Sequence, residues 1–576
     1  MTPSQGNFRS SPIRWLLSGL CFVIALCQAL PSLAEARQAG IEGMSQEEVV
    51  RLGERMYRDG ILPSGEPVRA IAQGDLVIEA TMFSCSSCHM RGGLGSNEGR
   101  VKTPPTNGKR LLQPAYTGGQ ADLSPEEFEK LPKLGRFPVR RPAYTDKTLA
   151  EALRDGVDPT GRVLDEVMPR YQLEDRDMAI MVAYLKQLSF TFSPGASETS
   201  LRFATVIAGD VRPEDEAAML IPLQRYFDDR NVQVTSFEKQ RKKYGWFAED
   251  MARAYRRLSL ARWELKGPPE TWRGQLEEYY RQEPVFALLG GISNGEWRPV
   301  HEFSEAHRIP CILPITDYPV ISENGWYTLY FSKGPYQEGE AAAHFLKRTI
   351  DTTGSRQVVQ IFRDDRQGRA LAAGFRETWL GLGLEAPKER ALRGGEQPTR
   401  ELVLELTGGD RSAVVFLWVG EEALPFLDAV AADAGRPEQV FLSSTQLGKS
   451  FAALPERARS FTYLTYPYRL PQDERPLADH AKMWLSSRKA PINERRISTR
   501  MYALISLMSP VFMHMKQDFY RDNMLDVISM RPDQPTADYE RLSFGPGQQF
   551  ASKGCYIVQV SPGEPRLVKK SDWVIH

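Results

Sequence analysis

Apolar residues recur at helical spacing in the front third of the chain. Residues 44–60 begin with Ser45 and Glu48 in capping-box spacing and end on a glycine, which is typical of one complete amphipathic helix. The same pattern returns at 145–156 and at 173–188, where apolar side chains share one helical face. The pattern therefore predicts a small all-α domain in this part of the chain.

A different pattern begins at residue 201. Continuous apolar runs alternate with helix-like stretches at about the spacing of α/β units. Such runs indicate buried parallel strands, and because one sheet rarely holds so many strands, they predict two α/β lobes with a cleft. The runs lie at 201–209, 232–237, 284–291, 308–315, 327–332, 356–362, 412–419 and 439–444, and the first helix is predicted at 213–231.

The chain begins with the features of a secretory signal. Arg9 and Arg14 precede the apolar run WLLSGLCFVIALCQAL, and the small-residue sequence PSLAEA follows it. The alternative is a retained membrane anchor, but the apolar run is shorter than the roughly 20 residues that a spanning helix requires. We therefore expect a signal peptide at 1–36, export to the periplasm, and no stable membrane insertion after cleavage.

Charged residues balance over the whole chain. The 73 basic and 73 acidic side chains give a formal net charge of zero. A chain without net positive charge and without a basic patch lacks the attraction for phosphates that nucleic-acid binding requires. Nucleic acid is therefore not an expected partner.

The sequence CSSCH at residues 85–89 carries the candidate chemistry. A structural zinc site would need a second ligand pair, and a thioredoxin-like pair would follow a buried strand, whereas neither is present here. Cys-x-x-Cys-His is also the attachment motif of c-type haem. Cys85 and Cys88 are one helical turn apart, so both sulfurs can reach one porphyrin while His89 faces the iron. The motif predicts one covalently attached haem c.

The second axial ligand of this iron is predicted by elimination. His89 is the only histidine between residues 37 and 200, which leaves methionine as the sixth ligand. Other methionines of the region lie in helical patterns or flank the attachment motif too closely. Met168 lies in the loop sequence GRVLDEVMPRY before a helix, and we expect it to bind the iron.

Residues 44–189 resemble a class I cytochrome c domain. The resemblance rests on a first helix with Gly53 and Tyr57, on CSSCH, on GVDPTGRVLDEVMPRY, and on a last helix with Tyr184 and Leu185. It implies first and last helices that pack together, thioethers at Cys85 and Cys88, His89 as proximal ligand and Met168 as distal ligand. The sequence PPTNG at 104–108 resembles the family's loop beneath the haem.

Residues 200–565 resemble a type I periplasmic binding protein, the family of the branched-chain amino-acid receptors of ABC importers. The resemblance is carried by 288–317, 327–347 and 361–385. It implies a two-lobed domain that binds a small polar solute, such as an amino acid, in its cleft. By position, the contacts would come from Ser293 and Thr316 in the first lobe and from Asp365 and Glu421 in the second. Ser293 has the structural alternative of capping a helix, and Asp365 that of belonging to a solvated turn.

Together, the sequence patterns and the resemblances predict a signal peptide at 1–36, a cytochrome c domain at 37–189, a linker at 190–200 and a two-lobed α/β domain at 201–576. The leading interpretation is a periplasmic monohaem electron carrier fused to a solute-binding module, with a quinoprotein dehydrogenase or terminal reductase as its redox partner. The alternatives are an ABC importer receptor with an auxiliary haem, and a redox or ligand sensor. Methionine ligation leaves no open iron position, and no catalytic constellation is present, so no enzyme activity is expected. Whether Cys311 and Cys555 pair or remain buried thiols stays open.

Overall fold

The computed structural model describes residues 41–99, 101–117, 139–244, 255–322, 324–349, 356–433, 435–473, 475–493 and 495–575. The predicted signal peptide at 1–36 lies outside the described residues. The chain divides into two compact units, and the boundary in the sequence lies between Thr191 and Phe192. Residues of the predicted linker pack on the second unit: Phe192 stacks on Tyr520, and the hydroxyl of Ser193 accepts the backbone N–H of Arg521.

The helices of the first unit follow the predicted pattern. The first begins after Ser45, whose hydroxyl accepts the N–H of Glu48, and it ends at Gly60 with a φ of 66°. Only a residue that tolerates a left-handed backbone closes a helix in this way. The described helices are α1 Gln46–Asp59, α2 Cys85–His89, α3 Gly108–Leu111, α4 Asp146–Arg154 and α5 Asp175–Gln187.

The first and last helices of this unit, α1 and α5, pack together at a glycine. A Cβ atom at Gly53 would lie 2.3 Å from the Cβ of Tyr184, so a larger residue would force the two helices apart. The rings of Tyr57 and Tyr184 lie 5.5 Å apart, and the Tyr57 hydroxyl donates to the carbonyl of Met90 at 2.8 Å. This contact connects the helix crossing to the chain just after α2.

The first unit also contains short antiparallel strands, so the all-α prediction is wrong in this respect. A three-stranded sheet has the order β2-β1-β7, and two further pairs are β3-β4 and β5-β6. Gln73 and Gly74 both have positive φ values, 46° and 96°, which turns the chain tightly from β1 into β2. The strands are β1 Arg69–Ala72, β2 Leu76–Glu79, β3 Ser96–Glu98, β4 Val101–Thr103, β5 Ala115–Thr117, β6 Val139–Arg141 and β7 Arg170–Tyr171.

The second unit begins with a parallel sheet that forms its first lobe. The order of the strands is β11-β8-β10-β12-β13, with β9 beside β8, and every pairing is parallel. The strands that lie in predicted apolar runs, β8, β10, β12 and β13, are largely buried, whereas β9 is partly exposed. The strands are β8 Ser200–Ala208, β9 Arg257–Leu265, β10 Ala287–Leu289, β11 Ile292–Ser293, β12 Cys311–Ile312 and β13 Thr328–Leu329.

The predicted strand at 232–237 is wrong, because the first helix of this lobe runs through it. A strand would place Val232 and Val234 on the same face, yet Val232 is 69% exposed and Val234 only 4%. The hydroxyl of Thr235 donates to the carbonyl of Asn231, four residues earlier, as it does inside a helix. The helices that cover this lobe are α6 Pro213–Tyr244, α7 Trp272–Gln282, α8 Arg298–Ala306, α15 Ile497–Met515 and α16 Arg521–Ser529.

The second lobe holds a mixed sheet of order β15-β14-β16-β17-β18-β19-β20, with β21 beside β19. Strands β14 to β18 pair in parallel, and β19 is antiparallel to β18. The strands are β14 Val358–Arg363, β15 Lys388–Leu392, β16 Val414–Trp418, β17 Gln439–Ser443, β18 Thr462–Tyr466, β19 Gly554–Val560, β20 Leu567–Lys569 and β21 Val574–Ile575. The remaining helices are α9 Pro335–Thr349, α10 Arg366–Gly381, α11 Arg400–Thr407, α12 Ala423–Ala431, α13 Ser444–Leu447 and α14 Arg475–Ser487.

The two cysteines of this unit lie in different sheets. Cys311 belongs to β12 of the first lobe and Cys555 to β19 of the second, and both are buried free thiols. Burial raises the pKa of both thiols, so they pack as small apolar side chains. In the described parts of the chain, no helix is both long enough and apolar enough to span a membrane.

Candidate functional site

The residues of the CSSCH motif lie together on the short helix α2 of the first unit. Cys85 is buried and donates its S–H to the hydroxyl of Tyr171 at 3.6 Å, whereas Cys88 is exposed. Burial raises the pKa of the Cys85 thiol to about 11. The motif therefore presents one sulfur to the core of the unit and one to its surface.

His89 is held in the orientation that a metal-binding histidine needs. Its side chain is buried, and Nδ1 lies 2.8 Å from the carbonyl oxygen of Pro104. A carbonyl only accepts, so Nδ1 carries the proton and Nε2 keeps its lone pair. Metal-binding histidines are oriented by this kind of bond from the other ring nitrogen. Pro104 belongs to the PPTNG sequence that resembles a haem loop.

Met168 lies on a loop that Arg170 holds in place. The Arg170 guanidinium donates to the carbonyl of Met168 and, at 2.8 Å, to the carbonyl of Leu164. Gly156 leaves the space for this side chain, since a Cβ there would lie 1.9 Å from the Arg170 Nε. Met168 is half-buried against the hydrophobic core that also contains Cys85.

Exposed apolar side chains lie close in sequence to the CSSCH motif and to Met168. Large apolar groups are rarely left in water in clusters unless something covers them. Two of them, Met82 and Phe83, lie three and two residues before Cys85, and two, Val163 and Val167, lie in the loop of Met168. Cysteines one turn apart, an oriented imidazole and apolar side chains of this kind fit a covalently attached haem.

In the second unit, Ser293 and Thr316 were predicted to contact a solute through their hydroxyls. In the structure these hydroxyls form hydrogen bonds that stabilise turns at the edge of the first lobe. Ser293 Oγ donates to the carbonyl of Glu296 at 2.9 Å and accepts the N–H of Gly295 at 3.1 Å. Thr316 Oγ1 accepts the N–H of Tyr318 at 3.1 Å. The two hydroxyls therefore fix the loops that carry Glu296 and Tyr318.

The predicted acidic residues of the second lobe also have local partners. Asp365 caps α10, because its carboxylate accepts the N–H of Gly368 at 2.7 Å. Glu421 accepts a hydrogen bond from the hydroxyl of Ser450. Ser293 thus stabilises a turn and does not cap a helix, whereas Asp365 caps a helix and does not belong to a turn. The contacts of the four residues with a solute stay predictions.

The two lobes contact each other through a residue that the sequence did not single out. Arg366, the first residue of α10, lies 3.4 Å from the Glu296 carboxylate and 4.2 Å from the ring centroid of Tyr318. Burial, and then the charges of Asp317 and Asp365, raise the pKa of Tyr318. Glu296, Tyr318, Asp365 and Arg366 therefore form one cluster at strand ends, where open α/β sheets bind ligands.

A second charged contact lies on the first-lobe side. Arg495 approaches the carboxylate of Asp215 at 2.6 Å and that of Asp317 at 3.6 Å, and it donates to Asn294 at 3.3 Å. Although burial opposes the effect, hydrogen bonds from Arg212 and Arg495 lower the pKa of Asp215. This edge of the first lobe is thus held by ion pairs and carries an exposed carboxylate, Asp317.

Several solved structures match this chain at low sequence identity. A putative branched-chain amino acid ABC transporter protein from Rhodospirillum rubrum is 14% identical, with 65% of this chain and all of that chain covered and a TM-score of 0.47. A branched-chain amino acid ABC transporter protein from Thermus thermophilus with bound valine is 13% identical, covering 66% and 97%, with a TM-score of 0.43. A solute-binding protein of R. palustris in complex with benzoate is 13% identical, covering 65% and 96%, with a TM-score of 0.42. No curated protein matches the chain.

A family model assigns the larger unit. The model described as "Periplasmic binding protein" matches residues 257–559, which is more than half of the chain. The prediction of a two-lobed α/β domain of this type is confirmed. The match does not reach the CSSCH motif, so the cytochrome c resemblance stays a prediction. The protein belongs to the periplasmic binding protein family.

Proposed function

We propose that the protein is an exported solute-binding protein whose second unit holds a small polar solute between its two lobes. The observation that carries this proposal is the cluster of Glu296, Tyr318, Asp365 and Arg366, in which both lobes place charged side chains at strand ends. An ABC importer would be the partner that takes up the solute. The periplasm is the proposed location.

The charges of this cluster suit a zwitterionic solute, which carries one positive and one negative group. Arg366 can pair in two-pronged fashion with a carboxylate, which would compete with Glu296 for the guanidinium. Asp317 and Asp365 can accept from an ammonium group. Tyr318 offers an aromatic face beside them. Because a charged group leaves water favourably only when it is paired, an amino acid fits this arrangement better than a neutral solute.

We expect Arg366→Ala to weaken solute binding at least tenfold, which corresponds to the loss of one charged contact of about 1.4 kcal/mol or more. Calorimetry with a panel of amino acids, organic acids and urea-like solutes measures the change. Arg376→Ala is the matched control, because Arg376 lies on the same helix and pairs with Glu389 at 3.0 Å. Equal weakening by both variants, or no binding by any solute of the panel, would contradict the proposal.

A second function is proposed for the first unit, and the contact between His89 and Pro104 favours it. Cys85 and Cys88 would attach one haem c, with His89 and Met168 as the axial ligands. Bound there, the haem would supply one-electron oxidation and reduction. The chain's own residues orient the site: the Pro104 carbonyl fixes the imidazole, and Arg170 holds the loop of Met168.

An electron carrier of this kind needs a redox partner protein. A quinoprotein dehydrogenase as donor, or a terminal reductase as acceptor, is the proposed partner. Neither role requires an enzyme activity of this chain, since Met168 as an iron ligand would leave no position for a substrate. The solute-binding unit and the haem-binding unit would then act in one exported protein.

Met168→Ala is expected to change the absorbance spectrum from six-coordinate, methionine-bound iron to a high-spin or water-bound form. The protein is produced together with a haem-attachment system, and the spectrum is recorded in both redox states. Met82→Ala is the matched control, because Met82 is exposed and lies three residues before Cys85. An unchanged spectrum in Met168→Ala would mean that another residue binds the iron. A colourless wild-type protein would refute the haem proposal while leaving solute binding untouched.

A further inference from the structure

A cavity of about 260 Å³ lies in the second unit, outside the cluster between the lobes. Helices α14 and α15, the end of α16 and the following segment 531–544 surround it. None of the four predicted cleft residues, nor Arg366, lines it. Its wall is largely apolar and includes Leu313, Leu477, Leu507, Ile528 and Phe544.

One cationic side chain of this wall has no counter-charge. The Nε of Arg531 is buried and makes no hydrogen bond, and the guanidinium forms no ion pair with the part of the chain that the structure describes. The nearby carboxylate of Asp533 pairs with Arg541 instead, at 3.7 Å. An Nε–H group that is shielded from water and left without an acceptor is costly, and a carboxylate in the cavity would remove that cost.

Two further side chains of the wall form a polar rim. The hydroxyl of Tyr502 lies 3.3 Å from Nδ1 of His480, and the ring of Tyr502 packs 5.4 Å from that of Trp484. His480 and Ser506 are exposed, so this side of the cavity opens to solvent. The cavity thus combines an apolar interior with an unpaired cation and an open rim.

We propose that this cavity binds a small monocarboxylic acid with an apolar body, such as an arylacetic or branched short-chain acid. The carboxylate pairs with Arg531, and the body lies against Leu507, Ile528 and Phe544. An apolar protein cavity of about 150 Å³ holds one benzene molecule, so this volume accommodates a ring with a short side chain. A neutral apolar molecule would leave the Nε of Arg531 without an acceptor. This site goes beyond the proposed function, because it is separate from the cluster between the lobes.

Phenylacetate is the probe, and phenylacetamide, which has the same shape without the charge, is its control. Binding to the full-length protein is followed by calorimetry and by the fluorescence of Trp484, which packs on Tyr502 at the rim. We expect saturable binding of phenylacetate and at least tenfold weaker binding of phenylacetamide. Arg531→Gln is expected to weaken phenylacetate binding at least tenfold, and Arg531→Lys to restore most of it.

Two further variants separate this site from the cleft and from misfolding. Ala503→Leu fills the cavity while leaving Arg531 in place, and we expect it to abolish phenylacetate binding. Arg366→Ala, in the cluster between the lobes, should leave that binding within twofold of the wild-type protein. Loss of binding in Arg366→Ala but not in Arg531→Gln would place the acid in the cleft and overturn the proposal. Equal binding of phenylacetamide, or no saturable binding of phenylacetate, would overturn it as well.

Discussion

Arg521→Met is expected to lower the free energy of unfolding of the second unit by about 4 kcal/mol, because it leaves several buried acceptors without a donor. Arg521 is 7% exposed at the start of α16. Its guanidinium donates to the carbonyls of Val285, Phe286 and His307 at 2.6, 3.0 and 3.1 Å. These carbonyls lie at the start of β10 and at the end of α8, so one side chain joins three elements of the first lobe.

Urea unfolding followed by tryptophan fluorescence measures this loss. Trp15 lies in the predicted signal peptide and every other tryptophan lies beyond residue 245, so in protein without residues 1–36 the signal comes from the second unit alone. Methionine keeps the apolar stem of the arginine, which confines the change to the charged group. Arg541→Met is the control: Arg541 is exposed and pairs with Asp533, and an exposed ion pair contributes only about 0.5 kcal/mol. Similar losses in the two variants would show that the buried carbonyl contacts are not what stabilises this lobe.

The second large effect concerns a buried carboxyl group in the other lobe. Glu338 is 1% exposed on α9, and its Oε2 accepts from the hydroxyls of Ser443 at 2.8 Å and Thr465 at 2.6 Å. Burial raises the pKa of Glu338 to about 7, although these hydroxyl contacts oppose the shift. The unfolded chain therefore releases this proton at a lower pH than the folded one.

This shift sets the direction in which stability depends on pH. The pKa of Glu338 in the folded chain is above its unfolded value of 4.5, so its contribution is fully present below 4.5 and is lost as the pH rises towards 7. We expect Glu338→Gln to abolish this loss, since a neutral amide has no proton to release. At about pH 8 the variant should be more stable than the wild-type protein by about 3 kcal/mol, and at about pH 4.5 the two should be similar.

Unfolding curves at several pH values between these limits test the expectation. Glu377→Gln is a suitable control, because Glu377 is exposed on α10 and accepts from the hydroxyl of Tyr336 at 2.8 Å. Its stability difference from the wild-type protein should stay small across the range. A difference between Glu338→Gln and the wild-type protein that does not change with pH would show that the carboxyl is not protonated in the folded chain.

Local patterns predicted much of the first unit. The cap at Ser45, the closing glycine and the single turn that carries CSSCH depend on residues within four positions of one another. Periodicity did not reveal β1 and β2, because their short segments are only partly buried and show no continuous apolar run. The bond from His89 to Pro104 joins residues 15 positions apart, and only the folded loop brings them together.

In the second unit, most strands are buried on both faces, so they appear in the sequence as continuous apolar runs. The number of these runs predicted two lobes. The run at 232–237 was wrongly predicted as a strand, because β-branched residues also fit the buried side of a long helix. Edge strand β9 was not predicted, because charged residues interrupt its apolar ones and it shows no continuous apolar run. For the cleft, Ser293 and Thr316 were predicted as solute contacts, and they remain predictions. The side chains that meet across the lobes are Glu296, Tyr318 and Arg366.

By itself, the amino-acid sequence determined the elements whose signals are local: the capped helices, the CSSCH turn and the buried strands that form two α/β lobes. Only the tertiary structure decided which side chains of different elements meet, such as Arg366 with Glu296. It also decided that, among the residues it describes, the buried Nε of Arg531 finds no acceptor. The physical reason is the separation along the chain over which each kind of interaction acts. Backbone hydrogen bonds and hydrophobic periodicity act between near neighbours in the chain, whereas the pairing of charges depends on distances that only packing sets.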